Sequence, residues 1–352
     1  MKVIITGGAG FIGSNAASRY LRAGREVVIV DSLVREGSVK NLEWLRPQGA
    51  LKFVPVDLRD AERVRAVFAR HRDADRILHL AAQVAVTTSV LEPRADFEAN
   101  ALGTLNVLEA MRQEEILAPA IYASTNKVYG EMTDVKVVER DDRYAYKGCP
   151  YGISEERNLD FHSPYGCSKG AADQYFVDYH RIYGLSTTVF RQSCIYGYRQ
   201  FGAEDQGWMA WFTIAAQTGQ PITIFGDGKQ ARDVLFIDDL LDAYDRAFEA
   251  GQAVWGRVYN IGGGPHNVLS LLELLAYLER RQQRRIPVRF DGWRPGDQQV
   301  FVSDIRRAET ELAWKPKVGC HKGMDSLYDW VAANLDLFRA PLEAAQVGEV
   351  RG

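Results

Sequence analysis

The sequence predicts an α/β protein: a doubly wound parallel sheet accompanied by a smaller, discontinuous α/β domain. Three observations carry that expectation. Short β-branched runs alternate with stretches of helical spacing through the first half of the chain, the rhythm of repeated strand–helix units. A glycine-rich turn stands directly between the first such strand and the first such helix. After Arg191 the rhythm gives way to aromatic and glycine-rich segments, returns once near Asp233, and breaks again.

Strands are expected at Val3 to Thr6, Val27 to Val30, Lys52 to Val56, Ile77 to Leu80, Ala120 to Ala123 and Thr187 to Arg191, each a run able to lie in a sheet covered on both faces. Apolar residues at helical spacing place helices at Phe11 to Ala23, Ala61 to His71, Leu102 to Gln113 and Ser168 to Tyr183. Beyond them comes one helix at Trp208 to Thr218, then a helix and a strand, Val258 to Ile261, that return to the first sheet. The first domain is therefore expected over 1–194 plus 233–265 and the second over 195–232 plus 266–340, with a frayed tail at 341–352. The basic run Arg280 to Arg285 is read as a solvated helix end rather than a binding patch.

At 352 residues the chain is long enough for one large α/β domain or two interlocked ones, and 46% hydrophobic with 25% charged residues is ordinary for a globular protein. A formal net charge of −3 offers no general attraction for nucleic acid or an anionic membrane, so neither is expected as a partner. No apolar run approaches the ~18 residues of a membrane span. Val3 to Thr6 breaks at once into glycines, unlike a secretory signal, and a cytoplasmic protein is expected. Cys149, Cys167, Cys194 and Cys320 show no paired short spacing, which predicts four reduced thiols and no metal site.

Thr6-Gly7-Gly8-Ala9-Gly10-Phe11-Ile12-Gly13 follows the first strand and opens the first helix. Gly7 suits a tight turn off the strand, Gly10 a close backbone approach to a pyrophosphate, and Gly13 close packing of helix on sheet. The helix N-terminus adds oriented N–H groups. The second strand ends in Asp31, where a carboxylate holds an adenosine ribose and repels a 2′-phosphate. This is a Rossmann-type arrangement, and it favours NAD over NADP, although Arg35 nearby tempers the preference. Asp57, after the third strand, is placed either to meet the adenine or to start a turn.

Tyr165 and Lys169, in Tyr165-Gly166-Cys167-Ser168-Lys169, stand at i and i+4 on one helix face. An ammonium beside a phenol favours phenolate, making Tyr165 a usable general base for a sugar hydroxyl. Ser124 and Thr125 end the fifth strand at its carboxyl end, where open α/β sheets bind ligands, and Thr125 would supply a hydroxyl there.

The glycine turn, Asp31, His79-Leu80-Ala81-Ala82, Asn100, Ser124-Thr125, Tyr165 with Lys169, Phe190-Arg191 and Tyr196-Gly197 occur in one order, and the chain thereby resembles the extended short-chain dehydrogenase/reductase family over nearly its whole length. Within it, the segments Ser124 to Gly130, Leu159 to Tyr175 and Gly226 to Leu235 resemble the CDP-paratose 2-epimerase (CDP-tyvelose 2-epimerase) family. The resemblance implies NAD retained through turnover, a CDP-sugar substrate, and a homodimer or homotetramer. It implies Tyr165 as base, Lys169 as its electrostatic partner and ribose ligand, and Thr125 as hydroxyl donor. Gly7, Gly10, Phe11, Ile12, Gly13, Asp31, Asp57, Leu58, Leu80, Ala81, Gln83, Asn100 and Ser124 fall on cofactor positions, with Ser193 beside the nicotinamide. Gln83, Asn126, Arg199, Gln206, Arg232 and Arg294 are candidates for the substrate. Arg232 falls where relatives clamp a diphosphate, with a surface ion pair to Asp233 as the alternative. Cys194 stands where 4-epimerases usually carry an asparagine, which puts that phosphate contact in doubt. Where the related dehydratases carry an aspartate and a glutamate after the threonine, this chain has Asn126 and Lys127.

Other residues have plainer readings. His162 is either a proton relay or a loop histidine packed beside the site; His79 ends a strand. Trp208, Trp211 and Phe212 are core residues or a sugar platform. The expected activity is an NAD-dependent nucleotide-sugar 2-epimerase working through a 2-keto sugar. A 4-epimerase of the same architecture differs in which carbon becomes the ketone. A non-catalytic nicotinamide-sensing regulator on the same fold has no need of the hydroxyl, phenol and ammonium set that this chain carries.

Overall fold

The computed structural model describes residues 1–294 and 296–338; the expected tail at 341–352 lies outside the described residues. Seven strands form one parallel sheet: β1 (Lys2–Thr6), β2 (Glu26–Asp31), β3 (Leu51–Pro55), β4 (Arg76–His79), β5 (Ala120–Thr125), β6 (Thr187–Gln192) and β7 (Val258–Ile261). Their order is β3-β2-β1-β4-β5-β6-β7. The chain leaves β1 in one direction and, after β3, crosses to β4 and continues in the other. The crevice beyond the carboxyl ends of β1 and β4 is thus the switch point at which such sheets bind ligands.

Alternation of side chains along the strands divides the core in two. Val3, Ile5, Val27 and Ile29 face one side with Ala16, Tyr20, Leu21, Leu240 and Tyr244 from the helices Phe11–Arg22 and Ile237–Ala250. Ile4, Val28, Ile77 and Val189 face the other, against Val64, Phe68, Val107, Met111 and Phe176 from Ala61–Arg70, Gly103–Gln113 and Ser163–Tyr183. With helices on both faces, the strands are the near-continuous apolar runs that the sequence displays.

Two helix starts differ from expectation. The helix over Ser163–Tyr183 begins five residues before Ser168 because Pro164 sits in its first turn, where a fixed φ and a missing N–H suit the helix. Tyr165 and Lys169 therefore lie at the helix entrance, beside the crevice. Ahead of Gly103–Gln113, Glu98–Leu102 forms a turn of π-helix, the kind of insertion often found at functional sites, and it carries Asn100.

A second set of strands lies outside the large sheet. Ala231–Phe236 pairs with Cys194–Tyr196, Val300–Phe301 and Val268–Ser270, while Ile222–Phe225 pairs with Val288–Asp291. The expected divisions at 194/195 and 232/233 both fall inside strands, and those two strands pair with each other. A hairpin, Val137–Glu139 with Tyr144–Tyr146, was not foreseen; it packs on Ala231, Val300 and Val302, away from the large sheet's core. The run from Arg280 closes the helix Leu271–Gln282, with Arg281 paired to Asp329 and Arg285 to Glu279, in keeping with a solvated helix end.

Candidate active site

At the end of β1 the glycine turn is closed on its protein side. Gly7 has φ +68°, and a Cβ there would stand 2.6 Å from the Ala81 nitrogen; a Cβ on Gly13 would stand 2.2 Å from the Gly7 carbonyl oxygen. Gly10 differs: a Cβ on it would meet only the Gly7 oxygen, at 3.2 Å. The helix that Gly10 precedes has no side-chain cap, so its first N–H groups remain available to an anion. Asp31 ends β2 and accepts hydrogen bonds from the nitrogens of Ala9 (3.0 Å) and Leu33 (2.8 Å). Burial raises its pKa and these backbone donors oppose the rise. An open turn, an uncapped helix and a held carboxylate at the ribose position fit a dinucleotide.

The other expected cofactor residues surround that turn or support it from below. Leu80 and Ala81 back onto Gly7. Asp57 starts a turn and is gripped by Arg59, with contacts of 2.6 to 3.0 Å that hold its carboxyl below the usual range. The Leu58 carbonyl accepts from Asn106, and Phe11 and Ile12 occupy the uncapped first turn. Asn100 is buried with its amide fully engaged, accepting from the Gln83 nitrogen (2.8 Å) and donating to the Gln83 carbonyl, Asp96 and Ser168. The Gln83 side chain is likewise turned onto Ala85 and Asp96. Asn100 and Gln83 thus hold the loop after β4 in shape. Arg35 donates to Gln206, and its charge is felt by Asp31, Tyr165 and Asp205, so the guanidinium spans from the ribose end of the crevice towards its chemical end.

At that chemical end the Tyr165 phenol is buried, with Thr125 close enough to act on its pKa. Burial pushes the phenol up to about 12, against lowering influences from Thr125 and Arg35 and a raising one from Asp96. Burial is the largest influence on the phenol, and the groups that lower it are Thr125 and Arg35. Lys169 donates to the Ala123 carbonyl at 2.6 Å and lies 4.3 Å above the Tyr122 ring. Its ammonium is brought down to about 7 by burial, opposed by Asp173 and Asp96.

Under the site runs a network that the sequence showed only as scattered polar residues. Asp173, fully buried, accepts two 2.9 Å bonds from Arg191 and one of 2.7 Å from Ser124; Arg191 continues to Tyr129, and Tyr129 donates to Asn260. Ser124 is thus committed to the floor. Asp96, also missed, is 1% exposed and collects Ser168, Gln83 and Asn100. His79 is enclosed between the hydroxyls of Thr6 and Thr104, and burial lowers it to about 3, in agreement with a strand-end role.

The buried lysines give a stability prediction. Lys169, and Lys127 at about 8, hold fewer protons when folded than in the unfolded chain, where the ordinary value is 10.5. Between the folded value and 10.5 the unfolded state binds more protons, so stability rises with pH. The melting temperature of protein stripped of NAD should climb from pH 7 to pH 9 by scanning calorimetry, and Lys169→Met should flatten the climb.

On the substrate side Arg232 is half-buried near Lys127, Cys194 and Tyr146, and desolvation lowers its pKa. Among the described residues it makes no ion pair; Asp233 is held instead by Ser193, Ser303 and the Gly264 nitrogen. That leaves Ser193 bonded to Asp233. Asn126 is buried next to Thr125, with a contact of 3.4 Å. Arg294 stacks 3.6 Å from the Phe225 ring centre and donates to the Glu204 carbonyl, while Thr87 donates to Asp205. The loop bearing Gln206 is thereby tied at three points, by Arg35, Thr87 and Arg294. Arg199 lies elsewhere: its guanidinium covers the Trp44 ring in a separate cavity of about 630 Å³ lined also by Asn15, Trp330 and Asn334. His162 faces Glu131 at 3.1 Å and is half exposed. Phe212 is buried and Trp208 packs edge-on against it, the core arrangement.

The family model for GDP-mannose 4,6 dehydratase matches residues 4–327. A CDP-paratose 2-epimerase of Salmonella typhi is 46% identical over 340 residues, 95% of this chain and 100% of the relative. A solved UDP-glucose 4-epimerase from Thermotoga maritima, with UDP-glucose, superposes with a TM-score of 0.82 at 31% identity, covering 95% of this chain and 100% of that one. A solved UDP-glucuronic acid 4-epimerase from Bacillus cereus, in complex with UDP-glucuronic acid and NAD, gives 0.80 at 27% identity, covering 95% and 100%.

Proposed function

We propose, for a chain that belongs to the GDP-mannose 4,6 dehydratase family of extended short-chain dehydrogenases/reductases, that it is an NAD-dependent nucleotide-sugar 2-epimerase of the CDP-paratose/CDP-tyvelose type. The observation that carries this reading is the 46% identity to a CDP-paratose 2-epimerase along essentially the whole length of both chains. The two solved 4-epimerases stand at 31% and 27% identity.

Tyr165, as phenolate, takes the proton from the C2 hydroxyl, and Thr125 holds phenol and sugar oxygen in line through its hydroxyl. NAD, held by the glycine turn and Asp31, would supply a hydride acceptor and donor at C2. Arg232 anchors the diphosphate while the keto sugar turns to present its other face. Lys169, on the same helix face as Tyr165, would hold the cofactor ribose with the donors its ammonium keeps beyond its bond to the Ala123 carbonyl.

We assign the protein to the cytoplasm; among the described residues no helix is long and apolar enough to cross a membrane. A homodimer or homotetramer is supported by the exposed Leu91, Phe97, Tyr175, Ile182 and Tyr183 on the adjoining helices Val86–Leu91, Pro93–Phe97 and Ser163–Tyr183.

The test is product analysis. Nuclear magnetic resonance of a CDP-sugar after incubation should show inversion at C2. CDP-glucose should yield no 4-keto-6-deoxy sugar, because an amide at Asn126 and an ammonium at Lys127 cannot replace the acid and base that expel a 6-hydroxyl. Inversion at C4 instead would select the 4-epimerase reading.

A further inference from the structure

Lys127 lies on the 3₁₀ turn Asn126–Tyr129 that leaves β5, two residues beyond Thr125, whose hydroxyl accepts from the Lys127 nitrogen at 3.3 Å. Its Nζ donates to the Gly296 carbonyl at 3.0 Å, and its charge interacts with Arg232 and Asp297. Lys127 thus spans from the catalytic hydroxyl to the guanidinium proposed to clamp the diphosphate. Among the described residues neither Lys127 nor Arg232 makes an ion pair within 4 Å, and Asp297 is the carboxylate acting on both. Asp233 also acts on Arg232, but its oxygens are committed to Ser193, Ser303 and the Gly264 nitrogen, so these two half-buried cations meet no carboxylate at ion-pair distance among the described residues. The ammonium has donors to spare beyond its bond to Gly296.

An anionic group of the substrate would supply the partner that both cations lack, and the regiochemistry says which one. C2 of a nucleotide sugar is bonded to the carbon that carries the diphosphate, whereas C4 lies across the ring. A site that presents C2 to Tyr165 must therefore bring the sugar-proximal phosphate close to Thr125, and one that presents C4 must not. We infer that Lys127 binds the sugar-proximal phosphate of the nucleotide sugar and, by holding it beside Thr125, sets C2 rather than C4 against Tyr165. The inference rests on the 2-epimerase reading and adds to it the residue that selects the carbon.

The test uses CDP and CMP, which differ by that phosphate, titrated calorimetrically into the NAD-loaded protein and into Lys127→Met and Lys127→Arg. Unchanged NAD content reports that the variants are folded. Lys127→Met should weaken CDP by about 10- to 100-fold, the order for a lost hydrogen bond to a charged group, and leave CMP within about 2-fold. Lys127→Arg should recover most of the loss, since it restores the charge. Equal weakening of CDP and CMP, undiminished CDP affinity, or a wild type that does not prefer CDP to CMP overturns the inference. Its failure is separable from that of the functional reading: wild-type protein that inverts C2 while Lys127→Met keeps CDP affinity defeats only the role of Lys127. Wild-type protein that inverts C4 defeats the 2-epimerase assignment itself.

Discussion

Tyr165→Phe should leave the fold and NAD content intact and lower turnover by about 10²- to 10⁴-fold, the usual order for a lost general base. The substitution keeps the ring, which is buried at the entrance of the helix Ser163–Tyr183, and removes only the oxygen. The neighbouring Thr125 hydroxyl keeps its contacts with Asn126 at 3.4 Å and the Lys127 nitrogen at 3.3 Å, so the change leaves no isolated buried hydroxyl. Among the described residues, the other titratable groups near the phenol are committed elsewhere. Asp96 is enclosed and engaged by Ser168, Gln83 and Asn100, Lys169 donates to a carbonyl, and His162 is turned to Glu131. The measurement is kcat under saturating substrate alongside NAD content by absorbance. Activity within a few-fold of wild type would take the base role from Tyr165.

The phenol also marks where sequence reasoning ran out. The spacing of Tyr165 and Lys169 was legible because a helix places i and i+4 side by side whatever surrounds it. Their electrostatics were not, because the pKa of each depends on how deeply it is buried. Desolvation raises Tyr165 to about 12 and lowers Lys169 to about 7, opposite to the effect expected from the pair alone. The strands of the large sheet were readable nearly to the residue, since a strand covered on both faces must be apolar throughout. Asp96 was not: on a short helix it reads as a surface carboxylate, and only packing against the helix Ser163–Tyr183 reduces it to 1% exposure. Lys127 could be seen to lack a dehydratase function, but its proximity to Arg232 depends on a strand far along the chain. The hairpin Val137–Tyr146 escaped for a similar reason: its apolar partners, Val300 and Val302, come from the end of the sequence.

A CDP-sugar carrying deuterium at C2, turned over in ordinary water, should give a C2-inverted product with its label retained. In the proposed reaction the proton on the hydroxyl oxygen goes to Tyr165, while the hydrogen on carbon leaves as hydride and returns as hydride, never meeting solvent. The enclosed setting supports this separation: the Tyr165 phenol is buried, and the loop carrying Gln206 is fastened to both sides of the crevice by Arg35, Thr87 and Arg294. Deprotonation next to a carbonyl would instead release the hydrogen to a group that exchanges with water. It would also require a base on the face opposite the first, and Lys127 and Arg232 on the substrate side are cations. Mass spectrometry of the product separates the routes completely, because one retains the label and the other loses it. Deuterium at C4 should leave the rate unchanged, whereas deuterium at C2 should slow it wherever chemistry limits turnover. Loss of the C2 label to water would exclude transient oxidation at that carbon. An isotope effect from C4 together with inversion there would assign the same machinery, Thr125, Tyr165 and Lys169, to the opposite side of the sugar ring.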